Sequence, residues 1–308
     1  MNTAGCSSVL ILTRNEERDL PGCLQSVTWS DDVHVFDSFS TDDTVTMAAA
    51  RGARVTQRAF DGYASQRNAA LRGLNFQHDW VLSLDADERV PDALAEEIRE
   101  FVGSAPPDVA AARIRRRDFF MGTWLKHAQI SPFFIRLVRP RRAHYEREIN
   151  EVLVAEGRIH DLREPFDHFP FSKGVAHWID KHNRYSTMEA ELIWRAQHEQ
   201  PNFSWRSAMF ARDFNLRRVH QKGLFYRLPC RPLVKLIYLL IFRRAFLDGQ
   251  AGVTYAVLQS IYEYFIVLKT RELRANASVF QPGTATPPQS GPQPRLVHGS
   301  AEKSVISS

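Results

Sequence analysis

The run Leu82-Ser83-Leu84-Asp85-Ala86-Asp87-Glu88 closes an apolar stretch with three acids. Carboxylates two positions apart share a face on a continuing strand. If the strand turns into a loop, both reach one ligand. Anions that close repel each other unless a cation neutralises them. Mg²⁺ or Mn²⁺ accepts oxygen ligands and keeps places for water and substrate phosphates. Asp85 and Asp87 therefore point to a divalent-metal site that stabilises charge on a departing diphosphate. The plainer account of the same letters is a helix start at Pro91 decorated with acids. Asp37, in DSFSTDDT, ends a second apolar run. An acid there suits a ribose or a base, or serves only as a turn residue. No GxGxxG follows the first strand and no GxxxxGK[ST] is present. A dinucleotide-binding oxidoreductase and a P-loop NTPase are both disfavoured.

The elements that must hold these acids are legible as strand–helix alternation. VLIL (9–12), Val33 to Phe36, ARVTQRAF (53–60) and DWVLSLD (79–85) read as strands. Between them lie helical stretches after Asn15, after Ser40, and over YASQRNAALRGL (63–74), with PDALAEEIREFV (91–102) following. Asn15 is a cap candidate, and Pro91 suits a first turn. This alternation predicts an α/β fold, a mostly parallel sheet with helices on both faces. Ligands bind such sheets at the carboxyl ends of the strands. Thr13, Asp37 and Asp85 all fall there. Farther on, VAAARIRRRDFF and parts of 133–154 read as strands, 157–174 as loop, and 175–197 as helix.

With 308 residues, 44% of them hydrophobic, the chain can bury one large core with an appendage. Forty Lys and Arg against 35 Asp and Glu leave a formal charge of +5, modest enough for an anionic cosubstrate or membrane surface. No nucleic-acid module accompanies it, and no nucleic-acid partner is expected. Three scattered cysteines form no CxxC pair and suggest a reducing compartment.

Three ordered segments resemble the family 2 glycosyltransferases of the GT-A fold. ILTRNEERDLPGCLQSV is similar to their opening strand and helix, DSFSTDDT to their D-x-x-S-x-D-x-T segment, and LSLDADE to their metal-binding DxD strand. The likeness is firm over roughly residues 8–105. More loosely, the ordered chain resembles the lipopolysaccharide-core branch, typified by beta-1,4-glucosyltransferases. The resemblance implies a Rossmann-like nucleotide-sugar-binding domain and an inverting, metal-dependent transfer from a UDP-sugar to a lipid-linked saccharide. It implies that Thr13, Asn15 and Glu16 line the nucleotide pocket, that Asp37 meets uracil or ribose, and that Arg67 approaches the diphosphate. Asp85 and Asp87 would work with Mg²⁺ or Mn²⁺. Glu151, in INEVL, matches the base of a V-H-E element, with Asn150 departing from the usual histidine and Glu146 and Glu148 as competing acids within five positions.

Several groups suit the acceptor side. Arg139, Arg141, Arg142 and Arg147 suit phosphate by their guanidinium forks, or are ordinary basic surface. Trp124 suits a sugar platform or a core, and His168 is a cleft candidate. In HWIDKHNRYSTMEA, similar enzymes carry a K-x-N-R-Y-S segment, which implicates Lys181, Arg184 and Tyr185.

LVKLIYLLIF (233–242) is short for a bilayer span, and AGVTYAVLQSIYEYFIVL (251–268) contains Gln259 and Glu263. With nearby arginines they suit amphipathic helices on an anionic cytoplasmic leaflet, or core helices. The expected layout is a catalytic unit over 1–225, interface helices over 226–275, and a disordered tail over 276–308. The expected enzyme is peripheral to the cytoplasmic face of a bacterial inner membrane. Its rivals are a polyprenyl-phosphate sugar transferase, a non-catalytic saccharide-binding module and a nucleotidyltransferase.

Overall fold

A strand buried on both faces is mostly apolar, as β1 (Ser8–Thr13) is over Val9–Leu12 and β4 (Val81–Asp85) is apart from Ser83 and its terminal acid. The computed structural model describes residues 5–146, 152–199, 226, 228 and 230–279. In β1, Val9 and Ile11 enter one core with Leu20 and Leu24 of α1 (Leu20–Ser26) and Leu94 and Ile98 of α4 (Asp92–Ser104). Leu10 points the other way, toward Ala64, Ala70 and Leu71 of α3 (Tyr63–Gly73). The two-residue period of a strand makes this division.

The sheet order begins β3-β2-β1-β4, with β2 spanning Val33–Asp37 and β3 spanning Arg54–Gln57. All three pairings are parallel, and α2 (Thr44–Ala50) joins β2 to β3. Register aligns Thr13 with Asp37 and Leu12 with Asp85, so the carboxyl ends meet at one edge.

Beyond β4 the sheet is mixed, although most of its strand pairings are parallel, as expected. β8 (Phe133–Val138) runs antiparallel to both β4 and β6 (Val109–Phe120). No crossover helix separates β6 from β8, and a short return permits only antiparallel neighbours. Residues 157–174, read as loop, contain β11 (Arg158–Asp161) and β12 (Phe166–His168) on β6. Both are too short and too polar to show alternation. The small strands β5 (Glu88–Arg89) and β7 (Thr123–Trp124) also join, while β9 (Ala143–Glu146) and β10 (Val152–Ala155) pair separately.

Asn15 is not a helix cap. It has φ 56°, its side-chain oxygen accepts the Thr41 N–H at 2.8 Å, and α1 begins only at Leu20. Here the amide ties the β1–α1 loop to the β2–α2 loop, a left-handed position that asparagine tolerates.

α5 (Gly174–Glu199) and α6 (Arg231–Ile237) both pack on α7 (Gly249–Val279). A third core joins Phe120, Leu125 and Ala128 to Leu239, Ala245, Ala251 and Ala256. α7 runs to Val279, past the expected start of the tail at 276. Residues 280–308 lie outside the described residues.

Candidate active site

Strand register assembles the acid end. β12 pairs with β6 so that His168 faces Asp118, and with β5 so that His168 faces Glu88. The last turn of β4 brings Asp85 and Asp87 to the same place.

Asp85 is clamped by two arginines. Arg67 of α3 donates to one carboxylate oxygen at 2.8 Å, and Arg136 of β8 to the other at 3.1 Å. Arg136 also contacts Glu88, which accepts the Asp85 backbone N–H at 2.9 Å. Burial works against ionising Asp85, yet the two guanidinium charges hold its carboxyl far below the usual carboxylate range. Glu88, 1% exposed, moves upward because burial outweighs Arg136. Both Asp85 oxygens are thus engaged, and its visible work is to aim Arg67. Arg136→Ala leaves two acids without their shared cation. Breaking such a buried pair costs about 3–5 kcal/mol. Urea unfolding should show that loss, with part recovered when Glu88→Leu is added.

Asp87 is differently placed. Its carboxylate lies 3.3 Å from His168 Nε2, while His168 Nδ1 meets Asp118 at 2.5 Å. Burial lowers the imidazole's proton affinity, but Asp118 and Asp87 override it and push its pKa up to about 9. A carboxylate holding one ring nitrogen while the other faces a second carboxylate is how metal-binding histidines are oriented. Asp87 supplies carboxylate oxygens, the ligand type that Mn²⁺ or Mg²⁺ takes, with the His168 imidazole beside it. A separate Cys6–Asp31–His78 group, with ligand atoms within 4.8 Å, precedes β1, β2 and β4 at the opposite end of the sheet.

Above these acids opens a cavity of about 660 Å³, lined among others by Arg67, Arg116, Lys181, Tyr63, Tyr185 and Tyr262. Three cations and three phenol rings suit a phosphorylated sugar nucleotide. Glu16 lines it too, its carboxylate 2.7 Å from Lys173 Nζ. Burial raises Glu16 to about 7, against the opposing pull of Lys173. The native state then binds the proton more tightly than the unfolded chain. Between pH 4.5 and about 7 this group makes stability fall as pH rises. Glu16→Gln should flatten that slope in melts across the window.

Asp37 is fully buried below the cavity. It accepts from Thr13 Oγ1 at 2.8 Å, from Ser40 N–H at 2.8 Å and hydroxyl at 2.5 Å, and from Gln57 at 3.0 Å. Asp37 and Thr13 thus hold the loop here, and neither is among the residues lining the cavity. Lys181 and Tyr185 line the cavity from α5, while Arg184 is exposed on the same helix and does not. Trp124 has Arg117 and Lys126 over its ring, each at 5.7 Å, outside the cavity. Arg139 stacks 4.5 Å from the Trp80 ring centre, and Arg142 donates to the Pro107 and Glu156 carbonyls. Both lie past the end of β8 beside the amino end of β4. Arg139 and Arg142 line a second cavity of about 620 Å³ with Arg72 and His78, and not the one above the acids. Glu151, Asn150 and Arg147 lie outside the described residues.

Sequence reasoning missed Arg116, Asp118, Arg136 and Lys173, and gave Glu88 no role of its own. One signal was available: Ile114, Arg116 and Asp118 alternate inward on β6, against outward Arg113 and Arg115.

The family model described as "Glycosyl transferase family 2" matches residues 8–160. Residues 8–160 form a family 2 glycosyltransferase domain. A lipopolysaccharide core biosynthesis glycosyltransferase of Rhizobium meliloti is 29% identical over 60% of this chain and 70% of its own length. An uncharacterised glycosyltransferase of Rickettsia typhi is also 29% identical, over 68% of this chain and 77% of its own. Among solved structures, S. aureus TarS is 15% identical with TM-score 0.41, covering 90% of this chain and 92% of that one. Glucosyl-3-phosphoglycerate synthase from Mycobacterium tuberculosis, in complex with Mn²⁺, UDP and glucosyl-3-phosphoglycerate, is 25% identical with TM-score 0.30, covering 39% and 46%. The glycosyltransferase domain spans β1 to β11, and α5 to α7 follow it.

Proposed function

We propose that this glycosyltransferase is an inverting, metal-dependent enzyme of the GT-A type. It moves a hexose, glucose by its resemblance, from a UDP-sugar to a lipid-linked saccharide such as a lipopolysaccharide inner core. The observation that carries the reading is the Asp87–His168–Asp118 chain at the floor of a cavity that also presents Arg67, Arg116 and Lys181. The similarity to a lipopolysaccharide-core enzyme supports the acceptor class. The long apolar helix supports a peripheral place at the cytoplasmic face of a bacterial inner membrane.

Asp87 and His168 would hold Mg²⁺ or Mn²⁺, which when bound neutralises charge on the diphosphate. Asp118 fixes the imidazole, and Asp85 aims Arg67 at the phosphates. Glu151 takes the proton as the acceptor oxygen attacks the anomeric carbon. The bond from that carbon to the diphosphate breaks, and UDP leaves on the opposite face. Lys181 and Tyr185 orient the acceptor.

Calorimetry with UDP-, GDP-, CMP- and dTDP-sugars, with and without Mn²⁺, tests the donor reading. The expected result is metal-dependent binding of UDP-sugars. Binding of none would support a non-catalytic module. Release of pyrophosphate during turnover would support a nucleotidyltransferase.

A further inference from the structure

The helices after Cys230 have a division of charge that the glycosyl-transfer reading does not need. Between Cys230 and Leu268 there are two acids, Asp248 and Glu263, and both are buried. Asp248 accepts the His127 and Ala128 backbone N–H groups at 2.8 and 2.7 Å and contacts the His127 ring at 2.6 Å. Glu263 is taken by Arg231, with Arg231 Nε at 2.8 Å. The remaining charges of the segment, Lys235, Arg243 and Arg244, are cationic, and Arg244 is exposed.

Apolar side chains occupy the outward face. Leu233, Ile237, Ile241 and Phe242 recur at helical spacing along α6 and the π-helical turn that extends it, with Ile241 63% and Phe242 75% exposed. Phe246 and Leu247 are each 54% exposed in the short turn before α7. Val253, Val257, Ile261, Tyr264 and Leu268 continue along one face of α7. Large apolar groups exposed in such density mark an interaction surface.

We propose that this face docks in the plane of an anionic bilayer, with the turn from Ile241 to Leu247 inserted to the depth of the headgroup–acyl boundary. Cations beside exposed aromatic and aliphatic groups, with every acid turned inward, complement an anionic leaflet. Ala245–Asn276 is long and apolar enough to cross a membrane. Crossing would expose the other face of α7, where Ala251, Ala256, Glu263, Ile266 and Thr270 are buried, and would break the Arg231–Glu263 pair. In-plane docking keeps both.

The docking turn is fastened to the catalytic side. Arg243 donates to the His127 and Gln129 carbonyls, each at 3.1 Å, and the Gln129 side chain donates to Asp118 at 2.9 Å. Docking therefore sets the height of the cavity above the bilayer. The inference rests on the acceptor being lipid-linked, but vesicle binding reads it with no sugar present, so either reading can fail alone.

The test is co-sedimentation of the full chain with vesicles of phosphatidylcholine alone or mixed with phosphatidylglycerol. Ile241→Asp with Phe242→Asp should weaken partitioning about tenfold or more. Lys235→Glu with Arg244→Glu should weaken it only on the anionic vesicles. Both pairs should keep wild-type melting temperature and donor binding. An alkaline carbonate wash should release the wild type. Unchanged sedimentation of both variants would overturn the proposal. So would retention after the wash, which indicates a span. A stable dimer in solution that the Ile241/Phe242 variant dissolves would show that a second copy covers the face.

Discussion

Asp87→Ala should abolish Mn²⁺-dependent binding of the UDP-sugar, an expected loss of about a hundredfold or more for removing a metal ligand. Calorimetry in the presence and absence of metal reads it directly. The physical reason is the asymmetry between the two aspartates. Asp85 has both oxygens committed to Arg67 and Arg136, while Asp87 faces a single imidazole at 3.3 Å across the cavity floor. Asp118→Asn provides a graded control. It keeps the shape but weakens the charge that orients His168, and such supporting groups are worth about 10–100-fold in metal affinity. If Asp87→Ala binds donor as wild type does, the metal is not held there.

Glu151→Gln should lower transfer to the acceptor by about 10²–10⁴-fold, the range for removing a general base, with donor affinity unchanged. A loss confined to kcat, with calorimetric donor binding intact, is the signature. Inversion requires an acid on the face opposite the departing diphosphate, and the resemblance of INEVL to a V-H-E element assigns it to Glu151. An acceptor that is already a phosphate is ionised and needs little help. Near-wild-type turnover of Glu151→Gln would therefore favour a polyprenyl-phosphate acceptor. Glu16, which lines the cavity and titrates near 7, is the acid to substitute next in that event.

The parallel half of the sheet was legible because its central strands β1, β2 and β4 are buried on both faces. Runs such as VLIL and WVLSL can hardly be anything else, and the helices between them carry their own stop signals. The acids at the strand ends followed from that alternation. The half beyond β4 was harder to read for a physical reason. β11 and β12 form by adding to an edge of β6, so their pattern reflects their partner and not a core of their own. Asp118 was hidden for the same reason. Its neighbour His168 lies 50 positions away and meets it only through the β6–β12 register. Arg139 and Arg142 show how a basic run is divided by the fold. The run reads as a phosphate site, and in the fold Arg139 stacks on Trp80 while Arg142 donates to backbone carbonyls, both outside the cavity above the acids. Asp37 sat at the expected strand end, yet its four hydrogen bonds go to the protein.

The most direct test of the central claim is product analysis. The purified full chain is incubated with UDP-α-glucose, Mn²⁺ and a lipopolysaccharide inner-core acceptor, followed by mass spectrometry and NMR of the anomeric coupling. The account predicts stoichiometric UDP and one added hexose in β configuration, with neither formed by Asp87→Ala. An α-linked product would contradict inversion. Wild-type amounts of product from Asp87→Ala, or no transfer from any nucleotide sugar, would contradict the assignment of the site.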